Sequence, residues 1–352
     1  TNNSINQLNL VAHAAVNTNT KYNSLFAVIN GTSTSVGKRF LRETLLNPII
    51  DPCELNRRYD YIDSIIKTDY KIYESKLSKI MDIERLHRKI TLGLLQPADF
   101  IGLDISYDSI MEMYNYILST NDDTLNIILP SPETMAKFIE FTRDYNRIFD
   151  MNEIGKYHLD KIHNSFFNPG IYGEIDAVKA LIDMNNDTLH RIAKKLSDIT
   201  EHGSNFVKVE YNDRDGHYLS ITCKRMTALK NKFNYMNNKT ILIDSGGGFS
   251  LNPKELDVKA INKTQTRITS AHIKQLSYDI RDGRHKIGEL SRMRYMENLN
   301  EYDIKYMDTL KEITQFVAKL DMYKSIAKTA LRFGYVRPTI ASAGASSLSA
   351  KN

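Results

Sequence analysis

The sequence predicts a mainly α protein: a helical body from which two long antiparallel helices lead to a small β-rich insertion. Three observations predict it. Apolar residues recur at helical spacing through most of the first two hundred residues. A seam of alternating four- and three-residue steps, Val178, Ile182, Asn185, Leu189, Ile192, Leu196 and Ile199, has a counterpart in Ile273, Leu276, Ile280, Ile287 and Leu290. Between the two seams, Phe206 to Tyr211 and His217 to Thr222 alternate apolar and polar residues, as half-buried strands do.

Along the chain, Phe40, Leu41, Leu45 and Leu46 share one face of a helix over Lys38 to Leu46, which Asn47-Pro48 stops. Asp51-Pro52 opens the next, with Asp51 as N-cap, Pro52 in the first turn and Leu55, Tyr59, Ile62 and Ile66 as its stripe. Further helices are expected from Tyr70 to Lys89, Ser106 to Leu118 and Pro132 to Arg147. From Glu174 the first seam needs about 24 residues, a rod of roughly 36 Å. The turn Asn212-Asp213-Arg214-Asp215-Gly216 joins the two alternating runs. A third strand is expected from Thr240 to Ile243, ending at Asp244-Ser245-Gly246-Gly247-Gly248. Helices from about Asn300 to Phe333 close the body, and Ala341 to Asn352 is a small-residue tail. This gives a first helical part over 1–200, an insertion over 201–272, returning helices over 273–340 and a tail over 341–352.

The composition excludes several classes. With 352 residues, 41% hydrophobic and 25% charged, the chain is neither disordered nor collagen-like, and Cys53 and Cys223 cannot form a disulfide framework. No apolar run approaches the roughly 20 residues of a membrane span, and Thr1-Asn2-Asn3-Ser4 does not open a signal peptide. The expectation is a soluble, intracellular protein without membrane contact.

The net charge of +5 is small for the whole chain but unevenly placed. Residues 200–285 hold fourteen Lys or Arg against nine Asp or Glu, and the remainder balances at 33 against 33. A basic unit at the end of two rods suits a phosphate backbone, which lysine and arginine bind by displacing counterions. A solvated, merely basic loop region gives the same count.

Motifs for chemistry are missing. Gly246-Gly247-Gly248 is followed by no Gly-Lys-Ser/Thr and reads as a flexible turn. His158 and His163, five apart, share no helical face and form no His-Glu-x-x-His pattern, and Asp122-Asp123 falls in a polar loop. Neither a Gly-x-Ser-x-Gly elbow nor a Cys-x-x-Cys pair occurs. The expectation is no catalytic residue and no metal site.

Several segments, in order, resemble the core (lever) and clamp domains of the MutS family of DNA mismatch repair proteins. Ser24 to Thr32, Thr34 to Arg42 and Leu46 to Ile49 resemble the family's opening block, with Thr44 where a Trp is usual. Asp82-Ile83-Glu84-Arg85 resembles its Asp-Leu-Glu-Arg helix, Gln96-Pro97-Ala98-Asp99-Phe100 the following turn, and Gly170 to Asp176 the start of the lever helix. Val207 to Asn212 with Gly216 to Ile221 resembles the first clamp hairpin, although His217 stands where a Tyr is common. Lys263 to Thr269 resembles the clamp's return segment, with Thr264 and Ile268 departing, and Leu320-Asp321, Ala327 and Tyr335-Val336-Arg337-Pro338 resemble the last core helix and the start of the ATPase domain.

The resemblance implies a protein that binds double-stranded DNA by backbone contacts, pairs as a homodimer or heterodimer, and couples DNA to ATP through the lever. Lys263 and Arg267 match the family's basic positions and are the first candidates for phosphate contact; Lys208, Lys224, Arg225 and Lys274 are chosen for charge and place. For all six the alternative is solubilising surface. The family's Walker A loop, Gly-Pro-Asn-x-x-Gly-Lys-Ser, does not occur here, and its Phe-x-Glu mismatch wedge belongs to an N-terminal domain that is expected to precede Thr1. The chain is therefore expected to be an internal portion of a larger protein. It would hold no cofactor itself and perform no catalysis, while the parent would be a DNA-dependent ATPase using ATP and magnesium. A helical interaction scaffold that docks its basic unit on an acidic protein is the alternative from another class.

Overall fold

The computed structural model describes residues 7–11, 23–212, 214, 216–237, 239–243 and 250–340. It is mainly helical with a small antiparallel sheet, and it divides into two compact units: Thr1–His158 with Met296–Asn352, and Leu159–Tyr295. Among the described residues no helix is long and apolar enough to cross a membrane.

The first unit is all helix: α1 (Leu25–Ile29), α2 (Ser35–Leu46), α3 (Pro52–Lys67), α4 (Tyr70–Leu77), α5 (Ile83–Thr91), α6 (Asp99–Ser119), α7 (Asp123–Asn126), α8 (Pro132–Ile148) and α9 (Met151–Ile154). Side-chain caps set most of the starts. Asp51 accepts the Cys53 amide at 3.1 Å with Pro52 at the first helical position, and Ser131 accepts the Thr134 amide at 3.0 Å.

The single helix expected from Tyr70 to Lys89 is two helices. Asp82 caps α5, accepting the Arg85 amide at 3.4 Å, and its carboxylate also receives the Arg39 guanidinium at 2.6 Å. An aspartate that offers the backbone a side-chain partner competes with helix continuation, and here it wins. The Arg39 hydrogen bonds hold the Asp82 carboxyl below its ordinary range.

Aromatic rings fill the interior of this unit. Phe100, Tyr107, Phe141, Tyr145, Tyr302 and Tyr306 are fully buried, with Phe141 5.2 Å from Tyr302 and 5.3 Å from Tyr145 between ring centres. His87 lies against them, its Nε2 2.8 Å from the Tyr107 hydroxyl and its Nδ1 3.1 Å from Thr314 Oγ1. The Thr314 hydroxyl donates to the Leu310 carbonyl, so Nδ1 carries the ring proton and Nε2 accepts from Tyr107. Burial holds this imidazole neutral, with its pKa pulled down to about 3.

The second unit pairs α10 (Gly173–Thr200) with the first part of the helix that closes the chain. Between them lie β1 (Lys208–Asn212), β2 (Gly216–Thr222), α11 (Cys223–Tyr235), β3 (Ile241–Leu242), β4 (Ser250–Leu251), β5 (Asp257–Ala260) and β6 (Gln265–Thr269). The closing helix, α12, runs unbroken from Ala271 to Phe333 and supplies residues to both units. Two contacts fix the antiparallel pairing. Arg294 Nε meets Glu174 Oε1 at 2.7 Å, and Gly283 lies against Ile182, where an added Cβ would come within 2.7 Å of the isoleucine side chain. Ile182, Leu189, Ile192 and Leu196 thereby share one core with Ile273, Leu276, Ile280 and Ile287.

The main sheet has the order β1-β2-β6-β5 and is antiparallel throughout; β3 and β4 form a separate two-stranded ladder. The third strand expected from sequence thus pairs only with β4. Gly246-Gly247-Gly248, residues 213 and 215 of the hairpin turn, and the tail over 341–352 lie outside the described residues.

Candidate nucleic-acid interface

The register of the sheet sorts its residues onto two faces. Val209, Leu219, Ile268 and Val258 lie opposite one another across β1, β2, β6 and β5, and they pack into the core shared with α10, α11 and α12. The neighbouring row on the other face is Lys208, Ser220, Arg267 and Lys259. Directly paired residues point to the same side of a sheet, so one cross-strand row carries three cations. At ~4.8 Å between strands the row is ~14 Å long.

Neighbouring polar groups support this row. Glu210 accepts from the Ser220 hydroxyl at 2.7 Å, and its carboxylate also holds the Tyr218 hydroxyl. Burial and that hydrogen bond push the Tyr218 phenol up, which keeps it a neutral donor. The Arg267 guanidinium stands 5.5 Å from the centre of the Tyr218 ring. Lys259 Nζ lies 3.3 Å from Asp257 on its own strand. Lys208 is exposed and has no ion-pair partner among the described residues.

Three further candidates gather at the end of the sheet where β2 finishes and β6 begins. Lys263 sits exposed in the β5–β6 turn, which Asn262 shapes by accepting the Thr264 and Gln265 amides, each at 2.8 Å. The Cys223 amide donates to the Thr264 carbonyl at 2.9 Å, so the start of α11 is tied to that turn. Lys224, exposed, and Arg225, half-buried, therefore lie next to it. Arg225 is committed to packing, its guanidinium 3.4 Å from the centre of the Phe206 ring.

Lys274 stands apart. It lies exposed in the first turn of α12, beyond the last residue of β6 and at the opposite end of the sheet from Lys263. At that end the hairpin docks on the helix: the His217 amide donates to Ser277 Oγ at 2.6 Å, and Gly216, at φ +73°, packs its backbone against the same serine. Lys259 is the member of the row that charge and motif alone did not select. Its signal is the alternation of Asp257-Val258-Lys259-Ala260, a strand pattern two residues shorter than the two runs of the first hairpin.

Among the described residues no group of three or more His, Cys, Asp or Glu is placed to hold a metal ion. The geometry offers hydrogen-bond donors and positive charge, which suits recognition of a polyanion.

Fold and face together define a helical protein with a cationic β insertion carried between the arms of an antiparallel helix pair. A family model described as MutS domain III matches residues 3–152, and one described as MutS family domain IV matches residues 170–244. A mutS homologue of Acanthamoeba polyphaga mimivirus is 31% identical over 97% of this chain and 31% of its own length. A mitochondrial DNA mismatch repair protein mutS homologue of Sarcophyton glaucum is 27% identical over 91% of the chain and 30% of its own length, and the DNA mismatch repair protein MutS of Petrotoga mobilis 23% over 91% and 35%. The chain belongs to the MutS family. It spans about a third of the length of each of these relatives.

Proposed function

We propose that this chain grips the backbone of duplex DNA with the cationic face of its four-stranded sheet, within a larger mismatch repair protein. The observation that carries the reading is the row Lys208, Ser220, Arg267 and Lys259, which faces away from the shared core. The cations stand about 5 and 10 Å apart along a row that crosses four strands, a close-set positive surface that can meet backbone phosphates without reading bases. Lys263 and Lys224 extend the surface at one end, Arg225 contributes the edge of a guanidinium stacked on Phe206, and Lys274 contributes least because it lies at the other end.

In this reading residues 201–272 act as the clamp and the paired helices, with the helical body, as the lever. The protein would work as a homodimer or heterodimer, the lever carrying the DNA-bound state to an ATPase. ATP and magnesium would be held by the larger protein's ATPase, whose Gly-x-x-x-x-Gly-Lys-Ser/Thr loop does not occur in these 352 residues.

The test is fluorescence anisotropy with a labelled DNA duplex. The wild-type chain is expected to bind homoduplex and mismatched duplex alike, with affinity falling steeply as salt rises. Lys263→Glu with Arg267→Glu should weaken binding without changing thermal unfolding of the body. Binding indifferent to salt, or unchanged in the double variant, would overturn the assignment.

A further inference from the structure

The sheet face that bears Lys208, Arg267 and Lys259 is banded by charge. Two residues along each outer strand the chain returns to the same face, at Glu210 on β1 and Asp257 on β5. Glu210 lies directly opposite Tyr218 and Asp257 directly opposite Thr269, both neutral partners. Two acids thus stand in a row ~7 Å from the three cations. On the other side of the cations the paired residues Thr222 and Gln265 are neutral, and Lys224 and Lys263 follow toward that end of the sheet. The acids lie on the side where the hairpin docks on Ser277.

Glu210 is half-buried, and its carboxylate accepts from the Ser220 and Tyr218 hydroxyls, with no ion-pair partner among the described residues. A glutamine at this place would accept the same hydroxyls, so the hydrogen bonds of the sheet do not call for the charge. Two like unit charges ~7 Å apart in water change an affinity by about threefold, which is the repulsion this anion exerts on a phosphate seated on the row. At ~0.1 M salt the Debye length is ~10 Å, so the repulsion covers the row and fades beyond it. Asp257, also half-buried, acts in the same sense and in addition engages Lys259 on its own strand at 3.3 Å.

A phosphate strand on this face is therefore repelled from the hairpin end and drawn along the cations toward Lys224 and Lys263. Repulsive groups beside attractive ones define a binding path more narrowly than attraction alone. We propose, on the DNA-binding reading above, that Glu210 and Asp257 are positioning residues. They confine the duplex backbone to the cation row and the Lys263 end, and they hold affinity below what the cations alone would give.

Fluorescence anisotropy of the full chain with a labelled DNA homoduplex, at low and raised salt, tests this. Glu210→Gln and Asp257→Asn are each expected to tighten binding about threefold at low salt and together about tenfold, with the gain shrinking as salt rises. Glu289→Gln removes the same charge from α12, about 18 Å along the helix from Ser277, and is expected to change affinity little. Thermal melts of the acid variants should match the wild type, because the amide oxygens keep the acceptors. Confinement itself is read from Lys263→Ala. Its loss of affinity should be smaller in the background of Glu210→Gln with Asp257→Asn, where the backbone is free to shift, than in the wild type.

Salt-dependent binding that neither acid variant tightens would overturn the positioning role and leave the cation row standing. So would an equal gain from Glu289→Gln, which would assign the effect to net charge, or an equal cost of Lys263→Ala in both backgrounds. A wild-type chain that does not bind duplex at all would overturn the DNA-binding reading itself, and the positioning role with it.

Discussion

Thr34 and Asp321, 287 residues apart in the chain, meet through one oxygen: Asp321 Oδ2 accepts from both the amide and the hydroxyl of Thr34, each at 2.7 Å. The Ser33 amide donates to the same carboxylate at 2.9 and 3.0 Å. Lys324, fully buried like Asp321, stands 2.9 Å from Oδ1 and donates to the Gly31 carbonyl and Ser33 Oγ at 2.8 Å each. Asp321→Ala would strand a buried ammonium and three donors, so it should cost about 3–5 kcal/mol. Urea denaturation measures this; a loss below about 1 kcal/mol would mean that water replaces the carboxylate without strain.

His87 gives the helical unit a pH dependence with a definite sign. Its folded pKa of about 3 lies below the ordinary 6.5, so the unfolded chain binds a proton that the folded chain refuses. The stability this confers is complete above about pH 6.5 and is lost as the pH falls toward 3, at about 1.4 kcal/mol per pH unit. Between pH 7 and 5 the wild type should lose about 2 kcal/mol that His87→Gln does not lose. Urea midpoints of both proteins at the two pH values make the comparison, and equal losses would assign the proton elsewhere.

Close approach of α10 and α12 depends on Gly283. Gly283→Val would press a branched side chain into Ile182 and Val178, whose atoms already lie 2.7 and 3.8 Å from the site of a Cβ. The expected cost is about 1–3 kcal/mol. Adding Ile182→Ala should return part of it, and thermal melts of the single and double variants reveal whether the two sites couple.

Salt dependence separates the cations of the sheet. Each phosphate contact removed should lower the slope of log affinity against log salt by about one. Lys208→Ala and Lys263→Ala are expected to do so, and Lys274→Ala, at the far end, to leave the slope nearly unchanged. Anisotropy titrations at several salt concentrations check it; an equal effect from all three would point to diffuse attraction without placed contacts.

Much of this architecture is legible because its patterns are long. The α10 seam and its α12 counterpart persist over many turns, and Asp51-Pro52 states a helix start in two residues. Short or competing signals were harder to read. The break before α5 comes from Asp82 serving as a cap while holding Arg39, a residue 43 positions away, and spacing cannot carry that information. Helix α11 was hidden by the strand run before it, although Met226, Leu229 and Phe233 step by three and four and are buried. Of the cationic face, Arg267 and Lys263 were visible through resemblance and Lys208 through charge. The row itself exists only once the pairing of β5 with β6 brings Lys259 opposite Arg267.

The buried rings of the helical unit have an optical consequence. The chain contains no tryptophan, so its near-ultraviolet dichroism comes chiefly from tyrosines, and Tyr73, Tyr107, Tyr145, Tyr302 and Tyr306 are held rigidly in this one interior. Loss of that signal while the helical far-ultraviolet band persists would report side-chain loosening before any helix melts.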